Sequence, residues 1–285
     1  MNNNIKSIKG RLKNYSKKKN KIHQFTLVRY FQERLLYRLS KSQYRENFLL
    51  KGGALVYSLQ KEESRNTLDI DLLAKRLKSD EEEIKKIFRE ICDLQFYDGV
   101  TFDTKTLTIQ EIIKEGSYSG IRVKVAARLG NIKQMMQIDI GFGDIVTPGP
   151  VEMEYPTLID VKDLDKPKLL AYSVETLISE KFQAMIDLAE YNSRMKDFYD
   201  VYTILKTERY SIKIFKSAVT NTFTKRKTKL TENHVVFTEK FFQDKQRIIQ
   251  WKAFLRKLKL SEELEFSDVM KYIKEIMLPI YQELK

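Results

Sequence analysis

Two aspartates, Asp69 and Asp71, interrupt an apolar run in the sequence RNTLDIDLL, which begins at Arg65. The run predicts a β-strand, in which alternate side chains point to opposite faces, so the two carboxylates share one face. Carboxylates about 6–7 Å apart on one face repel each other unless a positive charge lies between them. The pair therefore indicates a divalent-cation site, with strand-end acids that face solvent as the alternative.

A third aspartate, Asp139, lies in a second predicted strand, QMMQIDIGFGD, on the opposite face from Ile138 and Ile140. If the two strands are neighbours in one sheet, the three carboxylates converge. Oxygen ligands of this kind suit Mg²⁺ or Mn²⁺. Two such ions about 3.5–4 Å apart can activate an attacking oxygen and stabilise a leaving pyrophosphate. The sequence thus favours metal-dependent phosphoryl chemistry at this place.

A glycine pair, Gly52 and Gly53, precedes the first strand at a predicted strand-to-helix turn in NFLLKGGALVYSLQ. Glycine lets the backbone approach a ligand closely, and the N–H groups at the start of a helix attract phosphate. A glycine pair alone is also common in tight turns. The order of glycine pair, helix and Arg-x-Thr-x-Asp-x-Asp is more specific, and it predicts a nucleotide-phosphate site.

The charge distribution separates a slightly acidic middle from two basic regions. The formal net charge is +13, of which residues 1–21 carry +8 and residues 206–259 carry +11, so that the rest of the chain carries −6. Basic regions of this kind attract a polyanion such as nucleic acid, with a Lys-rich solvated surface as the alternative. The candidates for nucleic-acid binding in TKRKTKL are Lys225, Arg226, Lys227 and Lys229.

The patterns predict an α/β (α+β) core followed by a helical domain. Residues 1–21 are polar and basic without clear periodicity, which predicts a disordered or weakly helical N-terminal arm. Residues 22–170 mix strands and helices, and a hairpin is expected through Gly130 and Asn131. Residues 171–285 show helical patterns only.

Other classes of protein are disfavoured by composition. No run of about 18 apolar residues is present, so no membrane-spanning helix is expected. The first 21 residues lack the apolar segment of a secretory signal. The single cysteine, Cys92, cannot form an internal disulfide or a cysteine-built metal site, and core packing is its simpler role. We therefore expect a cytoplasmic protein.

Taken together, the motifs resemble the AbiEii/AbiGii-type abortive-infection toxins of the nucleotidyltransferase superfamily. LKGGAL with RNTLDIDL, QIDIGFGD, YSVETLISEKFQAM and RMKDFYDVY are similar to motifs of that family, in the same order, over about residues 45–205. The resemblance implies a nucleotidyltransferase-like mixed sheet with flanking helices and an NTP substrate with Mg²⁺ or Mn²⁺. It also implies an RNA acceptor, tRNA above all, a separately encoded antitoxin, and growth arrest in a phage abortive-infection system. We expect a monomer that binds no membrane.

The resemblance also implies roles by position. Asp69, Asp71 and Asp139 correspond to metal ligands, the last also to a general base, and Lys181 corresponds to the lysine that contacts the triphosphate. Many members of the family have a Ser or Thr directly after the glycine pair. This chain has Ala54 there, so backbone N–H groups must bind phosphate without that hydroxyl. The other implied catalytic or nucleotide-binding residues are Gly52, Gly53, Arg65, Lys196, Asp197 and Asp200.

Three alternatives stay open from the sequence. Lys181 could be a surface lysine paired with Glu180 or Asp187, and in either role we expect it to be exposed. The protein could transfer a nucleotide to a small molecule or a protein, although small substrates do not require basic regions. It could also be a non-catalytic binding protein, against which the retained acids and Lys181 argue.

Overall fold

The computed structural model describes residues 2–61, 64–114, 118–162, 164–258 and 263–284. The chain divides into two compact units, one formed by residues 1–143 with 150–171 and the other by residues 144–149 with 172–285. The first unit contains a mixed seven-stranded sheet with helices, and the second is helical. The predicted fold class, a mixed α/β core followed by a helical region, is confirmed.

The first unit is built on a single sheet. Its helices are α1 (Asn2–Lys18), α2 (His23–Lys41), α3 (Gly52–Gln60) and α4 (Glu81–Asp93). Its strands are β1 (Phe48–Lys51), β2 (Asp69–Ala74), β3 (Val100–Lys114), β4 (Tyr118–Leu129), β5 (Ile132–Phe142), β6 (Val151–Glu154) and β7 (Lys168–Ala171). The strands follow the order β3–β4–β5–β2–β1–β7–β6. Strands β2 and β5 run parallel, as do β1 and β7, and the other neighbours are antiparallel.

The β4–β5 hairpin turns one face of its strands to the core. Alternate residues of β4, such as Ile121 and Val123, are completely buried, because a strand points every second side chain to the core. Leu129 pairs with Ile132, so Gly130 and Asn131 form the two-residue turn. Gly130 has a φ of +61°, which such turns require and glycine adopts readily. The predicted hairpin is confirmed.

Helix α1 differs from the predicted disordered or weakly helical arm. Ile8 and Leu12 are buried on the face of α1 that packs near α2, and a Cβ atom on Gly130 would lie 3.1 Å from the side chain of Ile5. These three apolar residues recur at helical spacing, but the eight basic residues of the first 21 obscure the pattern. Packing stabilises a helix that its composition alone would leave marginal.

The second unit has an aromatic core. Its helices are α5 (Val174–Leu188), α6 (Met195–Thr207), α7 (Ile212–Lys225), α8 (Glu239–Phe242), α9 (Lys245–Leu258) and α10 (Phe266–Gln282). The Phe198 ring packs edge-on against the Phe266 ring, with 5.3 Å between the ring centroids. Trp251 also packs against Phe266, with 5.5 Å between the ring centroids. Among the described residues, no helix has the length and apolar character needed to cross a membrane.

Candidate active site

The predicted acids lie on two neighbouring strands. Strands β2 and β5 pair in parallel so that Asp71 stands opposite Asp139, and Asp69 stands opposite Gln137. Asp69 and Asp71 are half-buried, whereas the intervening Ile70 is buried on the other face. Residues directly opposite on paired strands share a face of the sheet. The condition that the two strands be neighbours is therefore met, and it places Asp71 beside Asp139.

Arg122 of β4 supplies a positive charge to this acid face, and the sequence reasoning did not identify it. It stands opposite Asp139 in the antiparallel β4–β5 pairing. Its Nε and Nη2 atoms donate to Oδ1 and Oδ2 of Asp139 at 2.8 Å each, a two-pronged charge-assisted contact. The Asp139 side chain is 9% exposed and that of Arg122 is 30% exposed. The carboxylate is therefore held in place by both of its oxygens.

The electrostatic effect of the acid face extends beyond this pair. Hydrogen bonding with Asp139 raises the pKa of Arg122 above its ordinary value, against the opposing effect of burial, and the charges of Asp69 and Asp71 raise it further. All three carboxylates thus act on one guanidinium. We name Asp69, Asp71, Asp139 and Arg122 the acid face.

The glycine pair fits closely around the first strand of the acid face. Gly52 has a φ of +62°, and a Cβ atom there would lie 2.0 Å from Oδ2 of Asp71. A Cβ atom on Gly53 would lie 2.8 Å from the Thr67 hydroxyl and 3.4 Å from an Arg65 nitrogen. Gly52 is therefore required by the packing of β2, and Gly53 by the packing of the residues that lead into β2, in addition to any approach of phosphate.

Helix α3 starts at this turn, and the side chain of its N-cap residue, Lys51, makes no capping hydrogen bond. The first N–H groups of a helix are donors with a positive dipole end, which suits them to phosphate oxygens. Ala54, where the chain departs from many family members, is completely buried. Backbone donors are thus placed beside Asp71 without the help of a hydroxyl at that position.

The acid face fits a divalent cation through two of its carboxylates. Within the described residues, no three Asp, Glu, His or Cys side chains are arranged to hold a metal ion. Asp69 and Asp71 suffice for Mg²⁺, which commonly takes one or two protein carboxylates and completes its shell with water and substrate phosphate. Participation of Asp139 as a third ligand stays a prediction, since Arg122 engages both of its oxygens.

In the second unit, Lys181 lies in a buried cluster with two aspartates. Its Nζ atom donates to Asp197 Oδ1 at 2.9 Å and to Asp200 Oδ2 at 2.8 Å. The three side chains are 10%, 9% and 1% exposed, respectively. The expectation that Lys181 is an exposed lysine is therefore wrong, because α5 and α6 enclose it. Lys196, also on α6, is exposed.

The four basic residues at 225–229 do not share one environment. Arg226 Nη2 lies 3.0 Å from Glu180 and 3.2 Å from Asp144, and its Nη1 atom donates to Gln183 at 3.0 Å. Burial lowers the pKa of Arg226, but these two carboxylates outweigh that effect and raise it above the ordinary value. Arg226 is thus held inside its own unit. The exposed members of the group are Lys225, Lys227 and Lys229.

Comparison with solved structures identifies the class of fold. The structure titled JHP933 from Helicobacter pylori is 14% identical and covers 92% of this chain and 94% of its own, with a TM-score of 0.49. A second H. pylori protein, described as a candidate nucleotidyltransferase, is 12% identical and covers 92% of this chain and 97% of its own, with a TM-score of 0.50. The second protein therefore shares the fold of this chain.

The family follows from the sequence. The model of the AbiEii family, nucleotidyl transferase toxins of type IV toxin–antitoxin systems, matches residues 34–272. The chain belongs to this family, which confirms the resemblance carried by the motifs. It is therefore a nucleotidyltransferase and a toxin whose family implies a separate antitoxin. No curated protein matches the chain at a significant level.

Replacing Gly52 by Ala should disturb the acid face. The new Cβ would collide with the Asp71 carboxylate and would require a left-handed backbone, so we expect a loss of about 1–3 kcal/mol in the free energy of unfolding. Gly10→Ala is the matched control, because Gly10 lies exposed in α1 with nothing within 4 Å of an added Cβ. That variant should gain about 0.5–1 kcal/mol. Urea unfolding measures both, and equal stability of Gly52→Ala and wild type would contradict the close packing.

Replacing Lys181 by Ala should destabilise the second unit. The change leaves Asp197 and Asp200 buried without their shared cation, which typically costs about 3–5 kcal/mol. Lys196→Ala, on the exposed side of α6, should change stability by no more than about 0.5 kcal/mol. Thermal and urea unfolding compare the two variants. If both unfold with the same midpoint as wild type, the buried cluster does not exist in solution.

Proposed function

We propose that this toxin transfers a nucleoside monophosphate from an NTP to an RNA acceptor, tRNA above all, with Mg²⁺ or Mn²⁺, and so arrests growth during phage infection. The observation that supports it most is the acid face beside the turn of Gly52. Asp69 and Asp71 are two half-buried carboxylates on one face, and Asp71 lies beside Gly52 at the start of α3. Carboxylates beside the N–H groups of a helix start are the pairing of groups that a metal-bound triphosphate needs.

Each group of the acid face has a role in this proposal. Asp69 and Asp71 hold the cation, which when bound neutralises charge on the triphosphate and favours departure of pyrophosphate. The N–H groups from Gly52 onward bind phosphate oxygens. Asp139 orients the acceptor hydroxyl, because each of its oxygens keeps a second lone pair while bonded to Arg122. Positioning and charge neutralisation supply the catalysis.

The roles of the remaining motif residues are proposed from the family resemblance. Lys181 contacts the triphosphate and Asp197 acts with it. Arg65, Lys196 and Asp200 assist nucleotide binding. The pairing of Lys181 with Asp197 and Asp200 supports a lysine whose position is fixed before substrate arrives.

Two exposed basic surfaces support an RNA acceptor. One is the group Lys225, Lys227 and Lys229. The other lies at the junction of α1 and α2, where a surface pocket is lined by Lys13, Ser16, Lys17, Asn20, Lys21 and His23. Both place ammonium groups where RNA phosphates can reach them. We further propose that the protein acts as a monomer in the cytoplasm.

Substituting Asn for Asp69 or Asp71 keeps the side-chain shape but removes the charge that holds the cation. We expect nucleotidyl transfer to fall by about 10²–10³-fold in each variant, because each metal contact contributes several kcal/mol to the transition state. Stability without metal should not fall, since repulsion within the acid face decreases.

The measurement is incorporation of labelled NTP into total cellular RNA, with Asp103→Asn on β3 as a control that should keep full activity. Activity within about threefold of wild type in both acid-face variants corresponds to less than 1 kcal/mol of transition-state stabilisation and would refute the metal role.

Replacing the exposed lysines Lys225, Lys227 and Lys229 by Gln should weaken RNA binding and flatten its salt dependence. The slope of log K against log salt concentration is negative, and each lost phosphate contact reduces its magnitude by about 0.7–0.9. Arg226→Gln is the contrasting variant, since it should lower stability and leave the slope unchanged. Gel shifts at three salt concentrations measure the slope. Equal affinity and slope in wild type and the triple variant would remove the argument for RNA and favour a small-molecule or protein acceptor.

A test of RNA binding by the basic face of α1 should substitute its lysines and not delete the helix. Ile8 and Leu12 are part of the core, so removal of residues 1–21 would unfold part of the first unit. Gln at the exposed positions Lys13 and Lys17 changes the charge alone.

A further inference from the structure

The acid face contains one residue that no motif assigns, Arg122. We propose that Arg122 is a positioning residue that acts as the fixed counter-ion of the acid face: it holds Asp139 as an oriented carboxylate that is not a metal ligand, and so confines the divalent cation to Asp69 and Asp71. The proposal rests on the proposed function, in which this pair of aspartates binds the cation.

The geometry of the two hydrogen bonds from Arg122 to Asp139 supports this role. The Nε and Nη2 atoms of Arg122 reach the two oxygens of Asp139 side by side, at 2.8 Å each. They therefore occupy the edge of the carboxylate on which a cation would bind bidentately. Asp139 is 7% exposed, so few other directions of approach remain. A cation can bind both oxygens of Asp139 side by side only if Arg122 releases them.

The register of the sheet makes Arg122 specific for this position. Three basic residues lie on the same face of β4, but Lys124 stands opposite Gln137 and Arg128 stands opposite Lys133. Only Arg122 among these three stands opposite an acid of β5. Arg128 is itself exposed, and its partner is the half-buried Asp103 on β3, at 3.9 Å.

The electrostatics predict how metal binding responds to loss of Arg122. Removal of the guanidinium makes the local charge more negative by one unit and frees both oxygens of Asp139. A divalent cation then gains a third carboxylate and a stronger field. The metal-free protein, in contrast, loses stability, because a nearly buried carboxylate is left without its partner. Metal affinity and metal-free stability should therefore move in opposite directions.

The experiment measures Mn²⁺ binding to the nucleotide-free protein by the electron paramagnetic resonance signal of free Mn²⁺, together with melting temperature. Arg122→Gln should bind Mn²⁺ about tenfold more tightly than wild type, a change equivalent to one pKa unit of charge interaction. Its melting temperature should fall without Mn²⁺ and recover when Mn²⁺ is added. Arg128→Gln, the matched control on the same strand, should match wild type in both measurements.

A second variant tests whether the effect passes through Asp139. In Arg122→Gln combined with Asp139→Asn, the two charge changes cancel and the released ligand is removed. Mn²⁺ affinity should therefore return to the wild-type value, and Arg122→Lys should lie between wild type and Arg122→Gln. A purely structural arginine would not produce this pattern.

The outcomes separate this inference from the function on which it rests. If Asp71→Asn weakens Mn²⁺ binding but Arg122→Gln binds Mn²⁺ as wild type does, the inference alone is overturned. If Asp71→Asn leaves Mn²⁺ binding unchanged, the metal role of the aspartate pair fails, and the inference fails with it.

Discussion

The pairing of Arg122 with Asp139 is the interaction that orients the third carboxylate of the acid face, and the proposed metal site depends on it. Asp71 and Asp139 stand directly opposite each other on β2 and β5, where two carboxylates repel unless a cation lies near. The guanidinium arrives from β4 through the same alternation that buries Val123 in the core. A slip of one residue in β4 would send every side chain to the other face. The packing of β4 in the core therefore also determines that Arg122 stands opposite Asp139.

The second unit also holds its charges in pairs, although it is built from helices. Asp197 and Asp200 lie three residues apart on α6 and so share one helix face, where both accept hydrogen bonds from Lys181. An isolated buried charge would be costly, and each partner removes part of that cost. Residues that match the family motif are thus also residues that stabilise the fold. Loss of activity in a Lys181 variant has to be read together with its stability.

The sequence predicted those features that depend on local periodicity. Alternation along each strand was enough to predict the shared face of Asp69 and Asp71 and the β4–β5 hairpin. The approach of Asp139 required the further condition that two distant strands pair. Arg122 was missed because three basic residues alternate along β4, and only the register distinguishes the one that meets an acid. The burial of Lys181 was missed because periodicity predicts on which face of a helix a residue lies. It does not predict whether other helices cover that face.

The central claim, nucleotidyl transfer to RNA, is tested most directly by the position of the transferred label. Wild-type protein is incubated with Mg²⁺, total RNA and one NTP that carries the label on either its α- or its γ-phosphate. Transfer of a nucleoside monophosphate retains the α-phosphate and releases the γ-phosphate in pyrophosphate. The account predicts that RNA acquires label from the α-labelled NTP alone, for at least one of the four nucleotides. Label on RNA from the γ-labelled NTP, or no label from any of the four, would contradict it.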